Sequence, residues 1–273
     1  MKRILLCTPV FVIIFATSCS KTSKSGNLNA PVFYLSSATT YSPGTTVVDS
    51  FSYDSSNHVT QFSQFEYDTV GGTPAVKTWS AVFATTGTAT PPPSYTYTSN
   101  GSSQTHSLSY DGQSRITKDT CTSTGYVAYY SYANGNIATT VLVNGSASNN
   151  EIDTIFVSNG NASAVHTYMS NSTGTADSLV GALNFGFSTT ANPLYHSALT
   201  TSMGPLLYIL QVENYGGSLD PISVNAFNSV SGTLDGFSGV TLNFSLINDA
   251  ESRLNVISAS LLGDYEIIYF KYY

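Results

Sequence analysis

From about Pro31 to Tyr273 the chain is a succession of short runs of β-forming residues, each closed by a cluster of Gly, Asn, Asp, Ser or Pro. "TVVDSFSYD", "VTQFSQFEYD", "RITKDTCTS", "YVAYYSYA" and "VTLNFSLI" are examples. Within the runs, large apolar and small polar residues alternate. Phe51 and Tyr53 share one face, as do Leu108 and Tyr110, and Ser occupies the other. A period of two puts one face of each strand in a core and the other in water, which antiparallel sheets permit. The links are short and rich in residues that tolerate positive φ, as in "DGQSR" and the Asn-Gly steps at 134–135, 144–145 and 159–160, so consecutive strands should pair as hairpins. The pattern predicts an all-β fold, an antiparallel up-and-down meander curled into a large twisted sheet or barrel.

Two stretches break this rhythm. "TTGTATPPPS" (85–94) carries three consecutive prolines, which cannot donate to a ladder, and is expected to be a loop or an edge excursion. The Leu-rich stretch "NPLYHSALTTSMGPLLYILQVEN" predicts one short helical insertion near 193–214. Only 9% of the 273 residues are charged while 12% are aromatic, which suits strands better than helices, whose surfaces draw on Glu, Lys, Ala and Leu. With a formal net charge of −7 and no cluster of Lys or Arg, the chain lacks the cationic footprint that nucleic acid requires.

The N-terminus has a different character. Met1-Lys2-Arg3 precedes "ILLCTPVFVIIFA", an apolar run of 13 residues that is short for a bilayer span and reads as a secretory signal peptide. It closes on "ATSC", which resembles the lipobox of bacterial lipoproteins; the resemblance implies cleavage before Cys19 and acylation of that cysteine. The expected organisation is therefore a signal peptide at 1–18, lipidated Cys19 with a flexible tether at 19–30, and a single β domain at 31–273. Cleavage would remove Lys2 and Arg3, leaving 7 basic against 16 acidic residues and a charge of −9, so the anchor would rest on acyl chains rather than on a basic patch. An anionic body on the polar tether "SKTSKSGN" is expected to stand off anionic head groups. Cys121 would then be the one remaining cysteine, with no disulfide framework. Its neighbours "KDTCTST" include no histidine, and it reads as a small strand residue.

A recurring unit appears when the runs are aligned on their aromatics: an aromatic or aliphatic residue, any residue, Tyr, a turn, then an aliphatic five or six positions beyond that Tyr. "FSYDSSNHV", "LSYDGQSRI" and "YSYANGNI" carry it at Tyr53, Tyr110 and Tyr132, and "NFSLINDAESRLNVI" is a looser copy. Each unit reads as one hairpin, with Asp111-Gly112 in the turn and Arg115 as a solvated turn-edge charge. The pattern resembles YD-type repeats and, more closely, a family of Bacteroidota lipoproteins of unknown function described as having a porin-like β fold. "LNFGFSTTANPLYHS", "NDAESRLNVISA" and "YEIIYFKYY" add to the likeness. The family has no assigned activity, so the resemblance transfers no catalytic residue. It implies an outer-membrane lipoprotein; Lys21 and Lys24, standing where surface-exposed members often carry acids, favour a periplasm-facing position slightly over the cell surface. "DTV", "DTI" and "DSL" at Asp68, Asp153 and Asp177 resemble the O-glycosylation signal of that phylum, at about the frequency that chance gives.

Candidate chemistry is sparse. His58, His106, His166 and His196 lie in separate segments without metal-ligand spacing, and His58 and His106 read as surface residues at strand or turn edges. Glu151 with Asp153, and Asp264 with Glu266, are pairs that a glycan hydrolase would need on one strand face, but such pairs equally protect sheet edges. No nucleophile elbow, phosphate loop, metal or cofactor motif is present in the sequence, so the chain reads as non-enzymatic. The surplus is aromatic: Trp79, Tyr95, Tyr97, Tyr129 and Tyr130, with Tyr126 and Tyr132, are candidates for a glycan-stacking platform, against the plainer role of cross-strand packing. The expected function is an outer-membrane-associated lipoprotein that binds a glycan or an envelope protein or serves a structural role. Its partners would be the bilayer, through Cys19, and that ligand. The alternative is an integral pore-like β-barrel, suggested by the closing aromatics of "IIYFKYY".

Overall fold

The computed structural model describes residues 34–55, 59–68, 75–84, 91–143, 146–170, 175–193, 206, 223, 225–234, 237–261 and 264–273. The expected signal peptide, Cys19 and the expected tether lie outside them. Of the stretch 193–214, Pro193 and Leu206 are described, both in helical backbone.

Seventeen strands occupy nearly everything else. The first nine are β1 (Leu35–Ser42), β2 (Thr45–Tyr53), β3 (Val59–Asp68), β4 (Ala75–Phe83), β5 (Ser94–Ser99), β6 (Ser102–Tyr110), β7 (Ile116–Cys121), β8 (Tyr126–Ala133) and β9 (Asn136–Val143). They are followed by β10 (Ser146–Ser158), β11 (Asn161–Ser170), β12 (Ala176–Ala191), β13 (Asn225–Leu234) and β14 (Phe237–Asn243). The last are β15 (Ser245–Asn248), β16 (Leu254–Leu261) and β17 (Asp264–Tyr272). From β1 to β14 each strand pairs antiparallel with the next in sequence, as the hairpin-like links predict. β14 and β15 are one run interrupted at Phe244, whose N–H donates to Asn228 O at 2.8 Å. The first half of the run pairs with β13 and the second with β16. β16 pairs with β17, and β17 with β1, from Leu35↔Tyr272 to Tyr41↔Ile267. The meander thus becomes a nearly closed barrel.

The turns explain the register. Asn100-Gly101, Asn134-Gly135 and Asn159-Gly160 each place two successive residues at positive φ (48° and 81°, 53° and 84°, 52° and 78°), as a type I′ hairpin needs to match strand twist. "DGQSR" and "DAESR" build a wider turn twice over. In each, the N–H of the Asp donates to the Arg carbonyl, the Asp carboxylate accepts from the second residue on and from the Arg N–H, and the Ser takes positive φ (Ser114 61°, Ser252 63°). The guanidinium then returns to the same carboxylate: Arg115 Nε lies 2.7 Å from Asp111 Oδ2, and Arg253 Nε 2.6 Å from Asp249 Oδ2. Arg115 also lies over the ring of Tyr132 at 4.2 Å, and Arg253 over Tyr272 at 4.7 Å. Arg115 is therefore held on two sides, which corrects its reading as a solvated edge charge; the stacking partner comes from a strand beyond the turn and has no local sequence signal.

The repeated Tyr has a defined task. Tyr53, Tyr110, Tyr132 and Tyr272 stand at or near the end of a hairpin's second strand, and each hydroxyl donates to a main-chain carbonyl at the start of the first: Leu35, Pro92, Ile116 and Leu254. Pro92 and Pro93 serve as acceptors only, Pro93 O receiving Leu108 N–H at 2.8 Å, so the missing proline donors cost nothing there. Part of the proline-rich stretch is thus docked at the foot of β5, while 85–90 lies outside the described residues.

Inward positions are sealed. Phe51, Phe62, Tyr95, Ile116, Ile137 and Ile155 have almost no exposure, and they belong to one cluster that draws on strands all around the ring and on Leu206 from the β12–β13 connection. A circular barrel of about this many strands leaves an aqueous channel. The deep burial of these six side chains instead matches an interior filled by side chains, as between the sheets of a sandwich. Opposite faces differ accordingly: Ser80↔Thr98↔Ser103 and Thr96↔Thr105 are outward pairs.

Asp111→Ala should lower stability by about 1–2 kcal/mol, since it removes the carboxylate acceptor of two backbone N–H groups and an ion pair that solvent partly screens. Gln113→Ala should unfold at the wild-type urea midpoint, because only its N–H takes part. The hydrogen bonds and charge of Arg115, with the N–H of Gln113, outweigh burial and hold the Asp111 carboxyl below its usual value. The difference between the variants should accordingly persist above the ordinary carboxylate range and vanish as pH falls through that lowered value.

Candidate functional site

The inner wall carries two polar clusters in apolar surroundings. In the first, neighbouring strands set Tyr95 opposite His106, and Leu108 opposite Asp119. Tyr95 Oη donates to Asp119 Oδ2 at 2.6 Å, and His106 Nδ1 lies 2.9 Å from Asp119 Oδ1 and 2.9 Å from Tyr95 Oη. The Tyr95 and His106 rings stack with centroids 4.5 Å apart, and the Tyr126 ring meets the imidazole edge to face at 5.2 Å between centroids. Asp119 is fully buried and His106 only 5% exposed. A proton on Nδ1 directed at the carboxylate leaves Nε2 as a bare acceptor, and Nε2 is buried with no hydrogen-bond partner. Burial, then the charge of Asp119, pushes the Tyr95 phenol well above its ordinary pKa, so it remains a donor.

In the second cluster Trp79 Nε1 donates to Gln64 Oε1 at 2.8 Å, and Gln64 Nε2 to Asp49 Oδ1 at 3.0 Å, a chain that crosses β4, β3 and β2. Asp49 is 1% exposed, and burial raises its carboxyl from 3.8 to about 7, against the opposing hydrogen bond from Gln64. Farther round the wall, Thr167 Oγ1 donates to buried Asp153 at 2.7 Å. These contacts satisfy most polar atoms stranded in an apolar wall and fix which strand lies against which, a role that buried polar groups serve when paired. Among the described residues no group of three or more His, Cys, Asp or Glu side chains is placed to hold a metal ion.

The five aromatics singled out from sequence do not share a face. Trp79, Tyr95 and Tyr130 are buried on the inner wall, with Tyr97 half-buried beside Trp79 at 5.9 Å between ring centroids. Tyr129 points outward, 44% exposed, with Lys118 Nζ 5.5 Å from its ring centre. A sugar platform needs open ring faces, and four of the five rings are committed to packing. His106 is likewise an interior residue rather than a surface one, because it has the parity of Leu108 and Tyr110. Cys121 is a buried strand residue, its Sγ 3.1 Å from Ser123 Oγ. Of the carboxylate pairs, Asp153 and Glu266 have described side chains, on separate parts of the ring; His58 and His196 lie outside the described residues. Sequence reasoning missed Asp49, Gln64 and Asp119. Asp49 has the parity of Phe51 and Tyr53, a signal that was present; Asp119 is shifted out of phase by the irregularity between Ser109 and Tyr110.

The architecture is a nearly closed, barrel-like antiparallel sheet. In fold the chain is similar to the crystal structure of a porin-like protein from Bacteroides uniformis, at a TM-score of 0.56 and 16% sequence identity, over 89% of this chain and 99% of that one. The chain matches no family model, and no curated protein is found related to it.

Tyr95→Phe should cost about 1–3 kcal/mol, because the Asp119 carboxylate loses its shorter donor while remaining buried. Asp49→Asn should act the other way. Between 3.8 and about 7 the folded chain keeps a proton that the unfolded chain has released, so stability falls as pH rises through that window. The amide variant escapes this fall and should gain roughly 2–4 kcal/mol over wild type above neutrality, the gain disappearing below the ordinary carboxylate value; urea titrations across pH read both.

Proposed function

We propose that the protein is a lipid-anchored barrel of the outer membrane, tethered through acylated Cys19, which acts as a non-enzymatic binding or structural component of the envelope rather than as a channel. The observation that carries this reading is the sealed interior. Phe51, Phe62, Tyr95, Ile116, Ile137 and Ile155 occupy the space where a conducting barrel keeps water. The "ATSC" signal supplies the anchor, and the Ser/Thr ladders on the outer surface of β4–β6 suit water better than acyl chains. The inner polar clusters are engaged with one another, so a ligand or partner would meet the barrel on its outside or at its ends.

A second reading, an integral pore-like barrel, draws support from the porin-like fold of the Bacteroides uniformis protein and from aromatics on part of the outer face. Reconstitution into planar bilayers distinguishes the two. The lipid-anchored reading expects no conductance steps, together with a mature protein whose mass begins at a triacylated Cys19. Stepwise conductance from a protein without acyl mass would replace it with the pore.

A further inference from the structure

Exposed apolar side chains are not spread evenly around the barrel. Of the ten large ones recorded among the described residues, Tyr41, Phe65, Tyr67, Ile247, Tyr269 and Tyr273 belong to the six strands on either side of the β1–β17 closure or to the residue that follows β17. Register makes all of them but Tyr273 contiguous. Ile247↔Val256↔Tyr269↔Thr39↔Val48↔Phe65 is an unbroken row of cross-strand partners, and Ile267↔Tyr41↔Thr46↔Tyr67 runs beside it. Tyr41 and Tyr269 meet edge to face at 5.8 Å, linking the rows. At about 4.8 Å per strand the patch is roughly 24 Å wide, larger than the scattered apolar residues normal on a soluble surface.

Charge is sorted on the same strands. Asp49, Glu66 and Glu266 have the parity of Phe62, Ile257 and Ile268, facing the interior. Among the described outward positions of β1–β3 and β15–β17 none is acidic, and Lys271 is cationic. The strand carboxylates Asp49, Glu66 and Glu266 are therefore turned away from this face, which lowers the repulsion expected of an anionic body near anionic head groups. Tyr hydroxyls mixed with aliphatics, Ser, Thr and a Lys suit the boundary between head groups and acyl chains.

The place where the chain leaves the barrel points the same way. Tyr34, the first described residue, is held to the C-terminus by Tyr273 N–H→Tyr34 O at 3.1 Å, so the preceding segment departs from the foot of β1, on the central strand of this patch and about 17 Å along it from the Thr39 row. Fourteen residues, 20–33, separate Cys19 from Tyr34. Extended, they span at most about 50 Å, and β1 is about 26 Å long, so an anchored Cys19 leaves the barrel free to lie on its side.

We propose that the outward face of β15–β17 and β1–β3 is a membrane-contact surface that rests on the head-group region of the bilayer holding the anchor. This rests on the lipid-anchor reading and revises its picture of a body standing clear of the membrane.

The test uses the lipidated protein reconstituted into phosphatidylethanolamine–phosphatidylglycerol vesicles, with and without dibrominated acyl chains. Tyr269→Trp and Tyr67→Trp are probes on the patch, and Tyr129→Trp is the probe on β8, far round the ring. Buried Trp79 gives a background measured on the wild type and subtracted. The expected result is loss of emission from the two patch probes with the Tyr129→Trp signal unchanged. Protein that floats with the vesicles but shows no quenching at any probe would overturn the contact surface and leave the anchor standing. Quenching of all three would mean immersion as a pore, and a dimer with unquenched patch probes would assign the face to a second copy. Failure to float, with no acyl mass on Cys19, would overturn the anchor and this inference together.

Discussion

Pairing of β1 with β17 is the constraint on which the rest depends. A meander of this length left open would expose two edge strands, each a row of unpaired donors and acceptors ready to recruit another chain. The six-residue register from Leu35↔Tyr272 to Tyr41↔Ile267 joins those edges and turns the sheet back on itself. Once closed, the sheet has one inner face, and a repeated period of two delivers every large apolar residue of the right parity to it. Tyr273 reinforces the seam: its hydroxyl donates to Phe51 O on β2, and its ring meets that of Tyr53.

Closure also decides what the interior can be. With so many strands, the same topology can enclose water or collapse, and the inward side chains choose. Here aliphatic and aromatic groups fill the middle, and the polar groups among them are bonded in clusters that tie neighbouring strands together. The likeness to a porin-like protein describes the path of the chain; the chemistry of the two faces is this chain's own. Its outer surface is divided between hydroxyl ladders and an aromatic seam, and that division underlies the proposed orientation on a membrane.

Much of this was legible in the sequence. Hairpin order follows from Asn-Gly turns, and the pairing face of Phe51, Tyr53, Leu108 and Tyr110 follows from alternation. The repeat was also visible, though its purpose was not: that Tyr53, Tyr110 and Tyr132 reach carbonyls 16 to 18 residues back depends on hairpin geometry. Arg115 was misread because its stacking partner lies on β8. The aromatic candidates were misgrouped for a related reason, since Tyr129 and Tyr130 are adjacent in sequence and so point to opposite sides of the wall.

Local chemistry was thus determined by the sequence alone: strand periodicity, turn type, the duplicated Asp–Arg turn, and the cationic, apolar and cysteine-bearing start. These depend on residues a few positions apart, whose steric and hydrogen-bonding preferences act before any fold exists. Tertiary structure decided what needs long-range closure. It determined that the sheet returns to its own first strand, that His106 finds Asp119, and that Tyr41, Tyr67 and Tyr269 become neighbours. Such contacts join residues far apart along the chain, and only the shared register of the closed ladder brings them within reach.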